Sequence, residues 1–407
     1  MRTPTPSLHC FDCHALKWWS GPLGATTHLF AGSHGGDVYV IQDIEDALSE
    51  DASCVANGIT LRQGLGKGGS ICDMKLTQDE SHLVLCSHDC TLSYLSYFDL
   101  DSQWELELHN TGDYDHWYTS VAISNALNSI LAADNRGYVK AFDPRLPCHL
   151  HHYSLHKSHK ISCIDVHSSG YVIATCSNDR TCRVFDLRRL NSEYIQNYRE
   201  EVAVYLHKGV VSSGYFSPLV PYRLLTTSQS DEISVYDASV AGELLPPKYV
   251  IPHSHKFYQH ITTIKASWHP LMRDVIAVGR YDRPRGFDLI SLSKTGSNPV
   301  TVKNIGSREV ETILCVNSFS PDGRYLASAT ANNVVLWASE SQSVDSELQT
   351  NVDERVPMAI AAQASCLESF SHDDSASNRR NSSRRSPGES SAPEDLDFSA
   401  FAFKRPR

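Results

Sequence analysis

The segment His255 to Thr263, HKFYQHITT, sets Lys256 beside Phe257 and Tyr258 and follows them with Gln259 and His260. KYVIPHSH before it is rich in strand-forming residues, and TTIKASWHP after it reads as a strand running into a turn. That placement predicts a loop tip between strands. A ring at a loop tip can wedge into a stack of bases, Gln and His can hydrogen-bond there, and the adjacent ammonium can hold a phosphate. Further candidates of the same kind are Lys157 and Lys160 in HKSHKIS, Arg280, Arg283 and Arg285 in GRYDRPRG, and Trp117 and Tyr118 in DHWYTS. Each one alone reads as a solvated charge or a core aromatic. Together, on loops opening at one end of a fold, they would form a positive rim around exposed rings.

Catalytic patterns are missing from the sequence. No Gly-rich phosphate loop leads a strand into a helix, no Ser sits on a nucleophile elbow, and none of the 20 His falls in H-E-x-x-H spacing. A non-enzymatic protein is expected, with many of the His bonding within their own repeats. CFDCH, Cys10 to His14, has the form of a covalent haem attachment, but no export signal accompanies it and no second close pair completes a zinc site. No cofactor and no metal are therefore expected. The 12 Cys are scattered, as expected of reduced thiols in a nuclear or cytosolic protein. No apolar run is long enough to span a bilayer, so no membrane is expected as a partner. A net charge of −11 and a pI of about 6.0 argue against a general nucleic-acid coat but allow one local basic face.

The elements that must position these residues are repeats. LFAGSHGGDVYVIQD, LVLCSHDCTLSYLSYFD, ILAADNRGYVKAFDP, VIATCSNDRTCRVFDL, LLTTSQSDEISVYDA, VIAVGRYDRPRGFDLIS and LASATANNVVLWA share one pattern. An apolar strand runs into small residues, then a polar turn, then a second strand of period two. Their starts lie roughly 40–55 residues apart, the period of a propeller blade. Phe-Asp and Tyr-Asp stand where WD repeats carry Trp-Asp. The predicted fold is all-β, a seven-bladed WD-repeat propeller of four-stranded blades over residues 10–340, after a short extension at 1–9. Residues 341–407 are Ser- and Arg-rich and poor in apolar residues, which predicts a disordered tail, with NRRNSSRRSP and KRPR as candidate nuclear-import signals.

Several strings resemble the damage-specific DNA-binding protein 2 family, the small subunit of the UV-damaged-DNA-binding complex. They are GLGKGGSICDMK (64–75), HWYTSVAIS (116–124), the run from His159 to Arg188, LLTTSQSDEISVYDAS (224–239), IPHSHKFYQHITTIKASWHP (251–270), VIAVGRYD (275–282) and VNSFSPDGRYLASA (316–329). The resemblance covers nearly the whole propeller. It implies recognition of damaged double-stranded DNA in nucleotide excision repair, in the nucleus, with chromatin as a further candidate partner. In the family an aromatic-Gln-His hairpin enters the minor groove at the lesion, and Tyr258, Gln259 and His260 match those positions. Trp117 matches the family's aromatic at the lesion pocket, and Lys160 a basic residue at the DNA face. Tyr118, Lys256 and Arg280 complete the expected DNA-binding set.

The chain departs from the family pattern at Cys13, His14 and His34, where basic residues are usual, and at Tyr258, where Phe is usual. Asp186 and Arg188 in VFDLRR match a motif that resembles the docking signature for the large propeller adaptor of a cullin-RING ubiquitin ligase. The family's N-terminal helical segment wedges into that adaptor. Here the first blade begins almost at once, so either more sequence precedes it or the adaptor is held more weakly. Two other readings stay open. One is a WD-repeat scaffold without DNA binding. The other is a sister family of damage-binding WD proteins, which DRPRG resembles.

Overall fold

The computed structural model describes residues 13–339 except 20–26, 43, 45–57, 65–68, 97–103, 147–148, 191–199, 238–241, 244–245, 256–262, 293–299, 307–309, 311 and 330–333. The predicted tail, the import clusters, the N-terminal extension, and Lys256, Tyr258, Gln259 and His260 all lie outside the described residues.

Seven antiparallel sheets follow one another along the chain. The first is β1 (Cys13–Trp19), β2 (His28–Ser33), β3 (Val38–Ile41) and β4 (Gly58–Arg62). The second is β5 (Ile71–Leu76), β6 (His82–Ser87), β7 (Thr91–Ser96) and β8 (Trp104–Asn110). The third is β9 (Tyr118–Ser124), β10 (Ser129–Asp134), β11 (Tyr138–Phe142) and β12 (His149–Ser154). The fourth is β13 (Ile161–Val166), β14 (Val172–Ser177), β15 (Thr181–Asp186) and β16 (Ala203–Leu206). The fifth is β17 (Val211–Phe216), β18 (Arg223–Ser228), β19 (Glu232–Asp237) and, after β20 (Gly242–Glu243), β21 (Tyr249–Pro252). The sixth is β22 (Ser267–Trp268), β23 (Val275–Gly279), β24 (Gly286–Leu292) and β25 (Val300–Gly306). The seventh shows β26 (Val316–Phe319), β27 (Tyr325–Ala329) and β28 (Val334–Ala338) among the described residues.

Each quoted repeat is the hairpin of a blade's second and third strands. The expectation of four strands per blade is altered in the fourth, where β20 adds to the outer edge of β16 in parallel. β16 offers an unpaired edge, and two extended residues are enough to take it.

Period-two patterning builds the core between neighbouring blades. Phe185, Ile173 and Ile164 of the fourth blade pack with Leu131, Val139 and Tyr153 of the third. Burying one such side chain contributes ~1.5–3 kcal/mol. The ring closes where the first blade meets the seventh. Leu16, Trp18 and Leu29 share a cluster with Ala327, Val334 and Leu336. The Trp18 indole N–H donates to the Ser318 carbonyl at 2.7 Å.

The His braces expected from the sequence are present. His156, just before β13, contacts Asp179 at 2.9 Å through Nδ1 and Thr175 at 2.8 Å through Nε2. His116 contacts Asp134 at 2.9 Å, and His253 contacts Asp288 at 3.1 Å. Each ties the segment before an inner strand to a neighbouring hairpin or strand. Gly137 (φ +90°) turns the third hairpin so tightly that any Cβ there would collide with the His156 carbonyl.

Candidate nucleic-acid interface

In the fourth blade Ile161 pairs with Ser177, and Val172 pairs with Asp186. Lys160 and the Asn178–Arg180 turn therefore sit at one end of the sheet, with Asp186 and Arg188 at the other. The same logic places the segments before each inner strand together with the turns between second and third strands. That end carries His88, Trp117, Asn135, Lys160 and the Arg280–Arg285 turn.

Trp117 is half-buried there. Its backbone N–H donates to Asn135 Oδ1 at 3.2 Å, and its carbonyl accepts from the Asn135 N–H at 3.1 Å. The ring stands edge-on to His88, centroids 5.3 Å apart. Its buried indole N–H has no hydrogen-bond acceptor among the described residues. Such an orphaned donor costs about 1–3 kcal/mol unless a ligand satisfies it.

Tyr118 corrects the sequence reading. It is fully buried, its hydroxyl lies 2.9 Å from His109 Nδ1, and its ring packs on Phe142. Successive side chains of a strand point to opposite faces, so the pair Trp117-Tyr118 could not both face outward. Among the described residues Tyr114, on the turn before Trp117, is 86% exposed at this end, and Tyr281 of the Arg280–Arg285 turn is 40% exposed. Sequence reasoning passed Tyr114 over, although GDYD is a polar turn around a tyrosine.

Lys160 is half-buried, and its carbonyl receives the Asn178 N–H at 3.0 Å and the Ser177 hydroxyl at 2.9 Å. Burial, with Lys265 nearby, lowers its ammonium below the usual lysine range, although Cys72 works the other way. Cys72 itself is a partner the sequence did not single out. Burial resists its ionisation, but Cys86, His88 and Lys160 outweigh that and pull it down to about 6. His88 is raised in turn, chiefly by its hydrogen bond to Cys72. Trp117, His88, Cys72 and Lys160 thus form one contiguous group across three blades.

Arg280 is half-buried and lies 3.7 Å from Asp288, so a neighbouring carboxylate already offsets part of its charge. Arg285 stacks on Tyr281 at 5.2 Å, and its buried Nε and Nη1 have no hydrogen-bond partner among the described residues. Cys13 of CFDCH is buried, its thiol bonded to the Ala15 carbonyl and pushed up by burial to about 12. His34 is half-buried on the first blade's turn.

At the opposite end Arg188 reaches Asp186 through Nε at 3.0 Å and Nη2 at 2.8 Å and lies over Tyr171 at 4.8 Å. Arg145 repeats the arrangement with Asp143 in the preceding blade, at 2.9 and 2.6 Å. The Asp-x-Arg turn is thus a recurrent local structure, and both arginines are exposed.

The blades and their hairpins define a WD-repeat β-propeller. The family described as "WD domain, G-beta repeat" matches residues 148–186 and 304–337. A chain in a crystal structure of the mitotic checkpoint complex shares the fold, with a TM-score of 0.61 and 14% identity over 83% of this chain and 92% of that one. Within that class, the chain's relatives by sequence include DNA damage-binding protein 2 proteins, which bears out the resemblance read from the quoted strings. The Gallus gallus protein is 31% identical over 354 residues, covering 83% of this chain and 64% of the relative. The Danio rerio protein is 29% identical over 336 residues, covering 80% and 61%. The chain therefore spans less than two thirds of the length of these two relatives.

Proposed function

We propose that this protein recognises damaged double-stranded DNA in the nucleus, as a binding protein and not an enzyme. The observation that carries the reading is the Trp117 indole, held beside His88 with its N–H unsatisfied among the described residues, next to the partly buried Lys160. A lesion is poorly stacked, so its bases are extruded at lower cost and an aromatic surface can take their place. Lys160 and Arg285 supply attraction for phosphates, and an overall negative charge limits non-specific binding. The names of the sequence relatives support the same reading.

In this reading Tyr258, Gln259 and His260 insert at the lesion, with Lys256 beside them on a phosphate. The opposite end presents Arg188 to the large propeller adaptor of a cullin-RING ubiquitin ligase. The two partners then bind without competing, because they occupy different ends of the fourth blade. A gel shift with UV-irradiated and undamaged duplexes across a salt titration tests the central claim. Tighter binding of the irradiated duplex at every salt concentration is expected; equal affinity would overturn it.

A further inference from the structure

We propose that the central channel of the propeller is a binding site for a small phosphate anion. The inner strands enclose a cavity of about 320 Å³ lined by Lys17, Lys75, Lys265, Asp73, Asp165 and Tyr215, among others. That is room for several water molecules, each of which takes ~30 Å³, and so for a phosphate group with part of its hydration.

The register shows that four of these residues form a ring. Lys17 pairs with Phe30, Lys75 with Val84, Asp165 with Ala174 and Tyr215 with Leu225. Each partner stands three residues before the end of its strand, at Ser33, Ser87, Ser177 and Ser228 respectively. The first, second, fourth and fifth blades therefore present two ammoniums, a carboxylate and a phenol at one level. Lys265 enters from the segment before β22.

The acids in the channel are already engaged and the bases are not. Asp73 Oδ2 accepts from the Ser120 hydroxyl at 2.6 Å and the Val121 N–H at 3.1 Å, and Oδ1 accepts from the Met74 N–H at 2.9 Å. Asp165 Oδ2 accepts from the Phe216 N–H at 2.9 Å. These carboxylates tie one blade to the next. Among the described residues none of the three ammoniums has a hydrogen bond or a carboxylate at ion-pair distance; Lys75 only lies over the Tyr215 ring at 5.7 Å. Each ammonium carries three donors and no acceptor, so the channel offers a surplus of donors and one surplus positive charge. A tetrahedral oxyanion supplies the acceptors that are missing.

The electrostatics agree with that geometry. Burial and then the neighbouring Lys75 pull Lys17 down to about 8, against the opposite pull of Asp73, Glu80 and Asp165. Burial likewise opposes the charge on Lys75, but Asp73 and Asp165 outweigh it and raise that group. An anion between Lys17, Lys75 and Lys265 relieves this repulsion, so binding should draw a proton onto Lys17 near pH 8.

The site lies deeper than the nucleic-acid interface but adjoins it, since Cys72 lines the cavity and Lys265 acts on Lys160. Lys17 and Lys75 are each the fifth residue of their strand, roughly 13 Å along it at ~3.3 Å per residue. A duplex phosphate at the propeller's end meets Lys160 first.

Isothermal titration calorimetry with inorganic phosphate on the full chain tests the proposal. The wild type is expected to bind, with a thermal shift that chloride at equal ionic strength does not reproduce. Lys17→Met and Lys75→Met should each weaken phosphate binding about tenfold or more, the loss of one charged hydrogen-bonding partner. Lys17→Arg should retain it, and so keeps the test valid if the Met variants fail to fold. Lys160→Ala should affect phosphate binding far less than Lys17→Met does, and Lys17→Met should leave duplex binding unchanged. Absence of binding by the wild type, or binding lost in Lys160→Ala and kept in Lys17→Met, would overturn the proposal.

Discussion

The Trp117 indole stands edge-on against the His88 imidazole, with planes at 71°, and so couples the turn of the second blade to the segment that opens the third. That contact fixes the ring at the propeller's end while leaving its N–H unsatisfied among the described residues. Trp117→Ala should lower the preference for irradiated duplex by about 1–3 kcal/mol, the worth of one base–aromatic stack. Fluorescence anisotropy with matched duplexes measures it. Tyr114→Ala should weaken binding to a smaller degree and leave the melting temperature unchanged, since that ring is exposed. Tyr118→Ala should do the opposite and cost about 3–5 kcal/mol of stability, because its ring fills the core against Phe142.

Lys160→Glu should weaken irradiated and undamaged duplexes alike. The side chain would meet phosphate and no base edge, so it carries no lesion information. The slope of log affinity against log salt should become shallower by about one. An unchanged slope with an intact fold would reduce Lys160 to a solvated charge.

Cys72 gives the interface a pH-dependent reporter. Its thiol ionises as pH rises through about 6, because Cys86, His88 and Lys160 outweigh the opposing burial. Cys13 and Cys315 are pushed by burial to about 12 and stay protonated. At pH 7 iodoacetamide should label Cys72 ahead of those two, with a rate that falls by half near pH 6. Peptide mapping by mass spectrometry reads the site. His88→Ala should move the half-point upward, and a half-point that stays put would mean the imidazole does not contribute.

Arg188→His should reduce recovery of the ligase adaptor in a pull-down by about tenfold while duplex affinity is kept. The guanidinium holds Asp186 with two nitrogens, a fork that imidazole cannot reproduce. Arg145→His changes the equivalent turn one blade earlier and serves as the comparison. Loss of soluble protein in Arg188→His would instead mark the turn as structural.

The blade hairpins were legible because small residues, a polar turn and a period-two strand recur together. Their inner and outer neighbours were less so: β22 is only Ser267–Trp268, too short to carry a pattern. Trp117 and Tyr118 show the limit at the interface, since two adjacent rings give no hint of which one faces the core. Asp186 and Arg188 were legible as a pair, but not that the arginine folds back onto its own aspartate. The channel ring was invisible in sequence, because Lys17, Lys75, Asp165 and Tyr215 become neighbours only through strand register.

Replacing Tyr258, Gln259 and His260 together by Ala should abolish the preference for irradiated duplex and leave a weak, salt-sensitive remainder. Extruding a damaged base costs stacking, and an inserted ring offsets it by about 1–3 kcal/mol per base. Without the insert, lesion and normal duplex cost the protein the same. Lys160 and Arg285 would still attract phosphates, so some binding should survive and fall steeply with salt. The melting temperature should move little, since the loop tip expected from the sequence would make few core contacts. A triple variant that melts far below the parent would place these side chains inside the fold. One that stays folded and still discriminates would move lesion reading to Trp117, whose N–H stands without an acceptor among the described residues.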